Sequence, residues 1–204
     1  MSHDLRTPIT RLRLRVEAIE DDELRSRCVE DLEEMTRMVR GALGVFRGLN
    51  DEEPPVPVDI DALVQELQRQ YAEVNASVAV EGRAAAAFTG KPLALKRCLG
   101  NLVDNALQYG QRATIAVADS DDQLTIQVLD EGPGIPQEEL ERVFEPFYRL
   151  ETSRNRATGG TGLGLSIARD VAQAHGGSLT LANRSGGGLE ARLALPRSPV
   201  RVSG

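Results

Sequence analysis

A histidine, a carboxylate and a hydroxyl group lie close together in the stretch SHDLRTPIT at positions 2–10. If this stretch is helical, His3 and Thr7 share a face about 160° from the apolar stripe, because each helical residue turns about 100°. Pro8 should bend the helix just after them. A neutral imidazole is a nucleophile, and the neighbouring carboxylate of Asp4 can fix its tautomer and accept its proton. We therefore predict a reactive His3; an ordinary surface histidine is the alternative.

Two asparagines and an aspartate form a second group of candidate residues. Asn101 and Asn105 lie four residues apart in NLVDNALQYG and would share one helix face, where amide oxygens can help to hold a hydrated Mg²⁺. Asp130 ends an apolar strand and is followed by Gly132 and Gly134 in DEGPGIP. Its carboxylate can accept a hydrogen bond from an amino group such as that of adenine, and glycines let a ring approach the backbone. A polar helix end and a simple turn are the alternatives.

A glycine-rich stretch, GGTGLGLS at 159–166, directly precedes a predicted helix. Its amides and the positive end of the helix dipole could bind a polyphosphate, although the spacing matches neither the Rossmann nor the Walker A motif. The segment VFEPFYRLETSRNRATGG at 143–160 is polar and too long for a tight turn. We expect it to be a lid over a nucleotide, with Arg149, Arg154 and Arg156 either solvated or in contact with phosphates.

The elements that must position these residues begin with two apolar stripes at helical spacing, separated by the acidic break EDDE. This pattern predicts an antiparallel helical hairpin. One hairpin cannot bury both stripes, so we expect a homodimer in which two hairpins form a four-helix bundle; packing of the hairpin on the rest of the chain is the alternative. The stripes consist of Leu5, Ile9, Leu12, Val16 and Ile19, and of Leu24, Cys28, Leu32, Met35, Val39, Ala42, Phe46 and Leu49.

The rest of the chain alternates between helical and strand patterns. Prolines in the segment 53–58 cannot continue a helix, which predicts a linker. The last helix should end at His175, where the helix dipole favours a basic group, and Gly176 should stop it. Strands with helices on one face predict a two-layer α+β domain. The predicted helices cover 59–72, 91–109 and the residues after the glycine-rich stretch, and the predicted strands cover 77–82, 85–90, 112–120, 122–130 and a closing hairpin at 177–196.

Composition excludes some classes of function. The 204-residue chain has a formal net charge of −7 and is 41% hydrophobic, as in soluble globular proteins, and the negative charge argues against nucleic acid as a partner. No apolar run approaches the ~20 residues that a membrane span needs. The chain has two cysteines, too few for a disulfide framework, so we expect a reducing cytoplasm.

These stretches together resemble the cytoplasmic core of two-component sensor histidine kinases, over about residues 2–197. SHDLRTPIT resembles the family's H box, NLVDNALQYG the N box, DEGPGIP the G1 box, FEPFYR the F box and GTGLGL the G2 box. Each motif alone is weak, but all of them in the family's order are highly specific. The resemblance implies a dimerisation and phosphoacceptor hairpin followed by an ATP-binding α/β sandwich of the Bergerat, or GHKL, fold.

The resemblance also implies roles for individual residues. His3 is the implied phosphoacceptor, Asp4 its acid/base neighbour, and Thr7 occupies the position associated with dephosphorylation of the partner regulator. Asn105 is the implied Mg²⁺ ligand. The residues implied to surround the nucleotide are Asn101, Asn105, Tyr109, Asp130, Gly132, Gly134, Phe144, Phe147, Gly160, Thr161, Gly162, Leu163 and Gly164.

Further expectations concern the lid and the organisation of the chain. Phe144 and Phe147 are expected to anchor the lid, and Gln108 stands where many family members carry a basic residue near the phosphates. We expect a fragment that begins at the H box and is the cytoplasmic portion of an inner-membrane sensor. The expected domains are an N-terminally truncated hairpin at 1–52, a linker at 53–58, a catalytic ATP-binding domain at 59–198 and a tail at 199–204.

The implied function is that of an autokinase that uses ATP and Mg²⁺ to phosphorylate His3. It would pass the phosphoryl group to an aspartate of a response regulator receiver domain, with phosphatase activity toward that regulator as a further expectation. The main alternative is a GHKL-type ATPase or ATP-driven clamp; such relatives usually carry a water-activating glutamate where Asn101 stands, and an amide is a poor general base. A non-catalytic nucleotide-binding dimerisation module is the third possibility.

Overall fold

The computed structural model of this chain describes residues 11–12, 14–29, 31–32, 53–150 and 161–197. In the front part, described residues are helical at 14–17 and 22–29, on either side of the predicted acidic break. Asp21 begins the second helix, because its Oδ1 accepts the N–H groups of Glu23 and Leu24 at 2.9 and 3.0 Å. The break between the two helical segments therefore lies where the sequence pattern predicted it; the antiparallel hairpin itself stays a prediction.

The apolar stripes of the front part are only partly covered. Leu12 and Leu24 are 39% and 50% exposed, whereas Leu32 is buried. Such exposure suits helices that bury their stripes against another helix pair. The bundle and the homodimer remain predictions, because Leu5, Ile9, Met35, Val39, Ala42, Phe46 and Leu49 lie outside the described residues.

The back part forms one layer of strands and one layer of helices. Alternating burial along β5 places Leu124, Ile126 and Val128 at 0–2% exposure on one face of the sheet. Two 3-10 turns precede the last helix. In chain order the elements are β1 (Val56–Val58), α1 (Ile60–Glu73), β2 (Ser77–Gly82), β3 (Phe88–Gly90), α2 (Pro92–Gly110), β4 (Arg112–Asp119), β5 (Gln123–Asp130), the 3-10 turns Gln137–Glu139 and Arg142–Phe144, α3 (Gly164–Ala174), β6 (Ser178–Asn183) and β7 (Leu189–Pro196).

The main sheet has the strand order β2-β4-β5-β7-β6. Only the β2–β4 pair is parallel, and the other neighbours are antiparallel. The predicted apolar face of α2 is confirmed: Leu95, Leu99, Leu102 and Ala106 are 0–3% exposed within the core. The predicted two-layer α+β fold is thus correct. Among the helices in the described ranges, none combines the length and apolar character that a membrane crossing needs.

The segment predicted to be a linker is fastened to this domain. Its last three residues form β1, which pairs antiparallel with β3 and buries Val58 opposite Phe88. The carboxylate of Glu53 also accepts the N–H groups of Leu93 and Ala94 at 2.8 and 3.3 Å, which caps the first turn of α2. The linker assignment for 56–58 is therefore wrong. Proline rules out a helix, but it is compatible with a short edge strand, where Pro57 lies.

His175 connects two helices rather than acting as a cation at a helix end. Its Nε2 lies 3.0 Å from the backbone N of Lys91, just before α2, and its Nδ1 lies 2.8 Å from the carbonyl oxygen of Val171 in α3. The Lys91 amide must donate to Nε2, so the proton is on Nδ1, which donates to Val171. This neutral ring joins the end of α3 to the beginning of α2.

A partly buried ion pair closes the far end of the sheet. Arg197 Nε donates to Asp119 Oδ1 at 2.9 Å, and the two side chains are 14% and 3% exposed. The same guanidinium donates to the carbonyl oxygens of Ala86 and Ala87, and Ala85 N–H donates to Asp119 Oδ2. The Arg197 hydrogen bond holds the pKa of the Asp119 carboxyl below its usual value.

We expect Arg197→Met to lower the free energy of unfolding by about 1–2 kcal/mol at pH 7, because it leaves a partly buried carboxylate without its charged hydrogen-bond partner. The depressed pKa means that Asp119 stabilises the fold above its unfolded pKa of about 3.9, and that this contribution is lost as the pH falls through the lower folded value. Urea unfolding between pH 7 and pH 2 should therefore show the stability gap between the two proteins narrowing below about pH 4. Asp121→Asn, in the exposed turn nearby, is the control; a gap of the same size at pH 7 and at pH 2 would contradict the ionic origin.

Candidate functional site

A cavity of about 660 Å³ opens between α2, the beginning of α3, the loop after β5 and the segment around Tyr148. Its volume falls in the range of small-molecule sites. The structure brings many of the predicted site residues to its wall, although they come from three separate stretches of sequence. The predicted residues that line it are Asn101, Asn105, Tyr109, Asp130, Gly134, Thr161, Gly162, Leu163 and Gly164.

One face of α2 supplies the longest side of the cavity. Asn101, Asn105 and Tyr109 lie on it, and so does Arg97, which the sequence analysis did not select. The four residues are spaced by fours, so a search of the same helix face would have found Arg97. Partial burial lowers the pKa of its guanidinium, which nevertheless remains a cation at any physiological pH.

Asn101 carries an unsatisfied buried group. Its Nδ2 makes no hydrogen bond, the one such buried side-chain atom found among the described residues. Buried amides are normally paired, so this one calls for an acceptor supplied from the cavity. Turned about its terminal bond, the same side chain would present its carbonyl oxygen instead. Either orientation fits a hydrated Mg²⁺–polyphosphate, which offers both acceptor oxygens and donor waters.

The N-terminus of α3 faces this asparagine pair. A methyl group on Gly164 would lie 3.7 Å from Asn101 Cβ and 3.9 Å from Asn105 Nδ2, so the gap between the two helices is narrow. No side chain of the described residues caps the helix, and Ser166 Oγ donates instead to the Leu163 carbonyl oxygen at 2.9 Å. The first amides of α3 therefore remain available to an anion, and the helix dipole favours one.

The F box and the G2 box touch each other through their backbones. Phe147 N–H donates to the carbonyl oxygen of Gly162 at 2.9 Å. Gly162 has a φ of +69°, and a Cβ there would lie 2.8 Å from the carbonyl carbon of Phe147. The phenylalanine side chains lie elsewhere: Phe147 is 52% exposed, and Phe144 is buried with the Arg169 guanidinium 4.8 Å from its ring. Neither of them lines the cavity, nor does Gly132.

Asp130 defines the opposite end of the cavity. Its side chain is almost fully buried, and Oδ1 accepts the N–H groups of Gly132 at 2.8 Å and of Leu189 at 3.0 Å. Oδ2 makes no hydrogen bond with any described residue. The carboxylate is therefore oriented by two amides and keeps one oxygen for a donor in the cavity.

Several other residues at the wall were not selected from the sequence. Asp104 lines the cavity but accepts a hydrogen bond from Tyr71 Oη at 2.6 Å. The pKa of the Tyr71 hydroxyl is raised, mainly by burial and also by this hydrogen bond. Leu189 also lines it, and so do Gln108 and Arg149, which the sequence had already placed near the phosphates. In the described ranges, no three His, Cys, Asp or Glu side chains cluster as a metal site. The predicted residues His3, Asp4, Thr7 and Gly160, with Arg154 and Arg156, lie outside the described residues.

Relatives of known identity resemble this chain along nearly all of its length. The sensor histidine kinase GtrS of Pseudomonas aeruginosa is 48% identical over 197 residues, which cover 97% of this chain and 41% of GtrS. The histidine-protein kinase BaeS of Escherichia coli K12 is 30% identical over 219 residues, covering 96% of this chain and 45% of BaeS. The chain spans about half the length of the curated relatives that it matches.

Solved structures share the fold of the back part. The mycobacterial sensor histidine kinase MprB superposes with a TM-score of 0.62 at 27% identity, over 71% of this chain and 100% of that one. The catalytic domain of the histidine kinase ThkA gives 0.61 at 27% identity, over 71% and 97%. Residues 90–199 match the family described as histidine kinase-, DNA gyrase B-, and HSP90-like ATPase. This chain therefore belongs to that ATPase family and has the fold of histidine kinase catalytic domains.

Proposed function

We propose that this chain is the catalytic core of a sensor histidine kinase, which phosphorylates His3 with ATP and passes the phosphoryl group to an aspartate of a response regulator receiver domain. The observation that carries the proposal is one cavity with an oriented carboxylate, Asp130, at one end and the Asn101–Asn105 face opposite the α3 N-terminus at the other. The relatives' identity as sensor histidine kinases supports it.

The base would bind at the Asp130 end. Oδ2 is the oxygen left for the exocyclic amino group of adenine, since Oδ1 is occupied by two amides. Ile135 and Leu189 line this part of the wall and offer apolar contacts to a ring. Tyr109, which is 42% exposed, also reaches the cavity. A base that lacks a matching donor should bind more weakly, because the buried carboxylate would then lose its water without gaining a hydrogen bond.

The phosphates would bind at the other end. The free amides of α3, the cation of Arg97 and the unsatisfied amide of Asn101 all favour negative charge there. Asn105, and with it Asn101, would hold Mg²⁺ through an amide oxygen. When bound, the ion neutralises charge on the phosphate oxygens. The segment around Arg149 lies over the same end and can exclude water.

The transfer itself requires positioning more than covalent chemistry from the cavity. A neutral ring nitrogen of His3 attacks the γ-phosphorus, an N–P bond forms, the bond to the β–γ bridging oxygen breaks, and ADP leaves. Asp4 accepts the ring proton. The N–P bond then breaks as a receiver aspartate forms an acyl phosphate, and Thr7 assists the later attack of water on it. The proposed assembly is a homodimer, the cytoplasmic portion of an inner-membrane sensor.

Labelling with ATP that carries a radioactive γ-phosphate tests the reaction. We expect the chain to acquire an acid-labile, alkali-stable label, and His3→Ala to acquire none, because the phosphoryl group would lack its acceptor. The variant should still bind ADP like the unmodified protein, since none of the residues proposed to contact the nucleotide is altered. Label that survives the substitution would refute the phosphoacceptor assignment, and release of free phosphate without protein label would favour an ATP hydrolase.

Glycine substitutions separate binding from folding at the phosphate end. Gly164→Ala adds a methyl group at ordinary contact distance from Asn101 and Asn105, so we expect an almost unchanged Tm but about tenfold weaker Mg²⁺–ATP binding, as the methyl group fills the gap where phosphates would lie. Gly162→Ala places a side chain at positive φ against the Phe147 backbone and should lower stability by about 1–3 kcal/mol.

The matched control is Gly100→Ala on the same helix as Asn101. A methyl group there would meet no atom within 4 Å, and alanine stabilises a helix interior by about 0.5–1 kcal/mol relative to glycine. We therefore expect a small gain in Tm and unchanged nucleotide affinity, measured by thermal unfolding and titration calorimetry. Unaltered binding by Gly164→Ala would show that the phosphates do not lie between α2 and α3.

A further inference from the structure

The turn between β6 and β7 packs against the loop after β5, although the sequence analysis gave it no role beyond closing a hairpin. We call residues 131–136 the base loop, because they follow Asp130 and include the cavity residues Pro133, Gly134 and Ile135. The base loop is not part of the sheet, so its backbone groups need partners from elsewhere. The β6–β7 turn supplies them.

Asn183, the last residue of β6, binds the base loop at two points. Its Oδ1 accepts the N–H of Ile135 at 2.8 Å, and its Nδ2 donates to the carbonyl oxygen of Ile135 at 2.7 Å. The side-chain amide thus pairs with this residue as a neighbouring strand would. A Cβ on Gly134, which has a φ of +74°, would lie 2.5 Å from Asn183 Oδ1, so the contact depends on glycine at that position.

The following residues hold Asp130 itself. Arg184 Nη1 donates to the Asp130 carbonyl oxygen at 2.6 Å, and Leu189 N–H donates to Asp130 Oδ1. Gly188 passes so close that a Cβ there would lie 2.0 Å from the Asp130 carbonyl oxygen. One turn therefore fixes both the backbone and the carboxylate of the residue at the base end of the cavity, while Asn183 and Arg184 do not line the cavity.

Building on the proposed nucleotide-binding function, we infer that Asn183 and Arg184 are positioning residues that set the preference for adenine. Asn183 fixes the wall formed by Gly134 and Ile135, and Arg184 fixes the backbone of Asp130, so that Oδ2 points at the amino group of the base. A hydrogen bond from a bound base depends steeply on distance and angle. Loosening the turn should therefore weaken the recognition of adenine more than it weakens the binding of phosphates.

Asn183→Asp is the sharpest test because it changes shape very little. The aspartate can still accept the Ile135 N–H, but its second oxygen faces the Ile135 carbonyl oxygen and repels it. With Mg²⁺ present, we expect the Kd of ADP to rise about 5- to 10-fold in the full chain, the size of one or two lost hydrogen bonds. The Kd of GDP, which cannot use Asp130 in the same way, should rise less. The Kd of GDP divided by the Kd of ADP should therefore fall toward one.

Asn183→Ala and Arg184→Met repeat the test with donors removed rather than replaced. Ser185→Ala is the matched control: Ser185 lies in the same turn, is exposed, and its side chain makes no hydrogen bond with the described residues. It should leave both Kd values and their ratio unchanged. Titration calorimetry gives the Kd values, and thermal unfolding shows whether each variant is folded.

The outcomes separate the inference from the function on which it rests. A lower ratio of the GDP Kd to the ADP Kd in a folded Asn183→Asp protein supports the inference. Equal weakening of both nucleotides, together with a lowered Tm, would mean that the turn only stabilises the fold and would overturn it, as would an unchanged ratio. An unmodified chain that binds neither nucleotide would overturn the proposed function and this inference with it.

Discussion

The structure of the site depends on one buried carboxylate, that of Asp130. An almost fully buried negative charge destabilises a fold unless it is hydrogen-bonded. Asp130 Oδ1 accepts the N–H groups of Gly132, two residues later, and of Leu189, at the beginning of β7. The second bond links the end of β5 to the neighbouring strand beyond the regular ladder. The same charge therefore orients the group that can recognise a base and ties together the two strands that hold it.

The phosphate end is fixed by a different interaction, the packing of α2 against α3. Cys98 of α2 lies against the Ala168 carbonyl of α3, with burial raising the pKa of its thiol to about 12, so the residue acts as a small apolar side chain. His175 joins the same two helices at their other ends. The two contacts together hold α2 and α3 against each other, which places Gly164 beside Asn101.

The sequence could predict what depends on local patterns and could not predict what depends on distant pairing. The spacing of Leu95, Leu99 and Leu102 predicts the buried face of α2, and alternation in β5 predicts where Asp130 stands. Asn183 was missed because its partner, Ile135, is 48 residues away and is bound through the backbone, which leaves no signal in residue type.

Other misses have different causes. β1 was not predicted because prolines in PPVPV exclude a helix without indicating a strand. The partner that makes Val56–Val58 a strand is β3, about 30 residues further along the chain, and local patterns do not reveal such a pairing. Arg97 did carry a signal, its spacing by fours with Asn101 and Asn105. Local spacing thus predicts residues that line the cavity, but not the residues that support its wall from outside.

Three energetically unfavourable local features lie at or beside the cavity. Asn101 Nδ2 is buried without a partner, α3 begins without a side-chain cap, and Phe147 has a φ of +66°, which is unfavourable for a bulky residue. Each costs stability in the unliganded chain; an apolar side chain in place of Asn101, a capping side chain before α3 or a glycine in place of Phe147 would relieve it. A bound polyphosphate would satisfy the first two directly, by accepting from the Asn101 amide and from the amides of α3. These groups destabilise the unliganded chain and would gain their hydrogen bonds only on binding. Such local departures from stability are the pattern expected at a functional site.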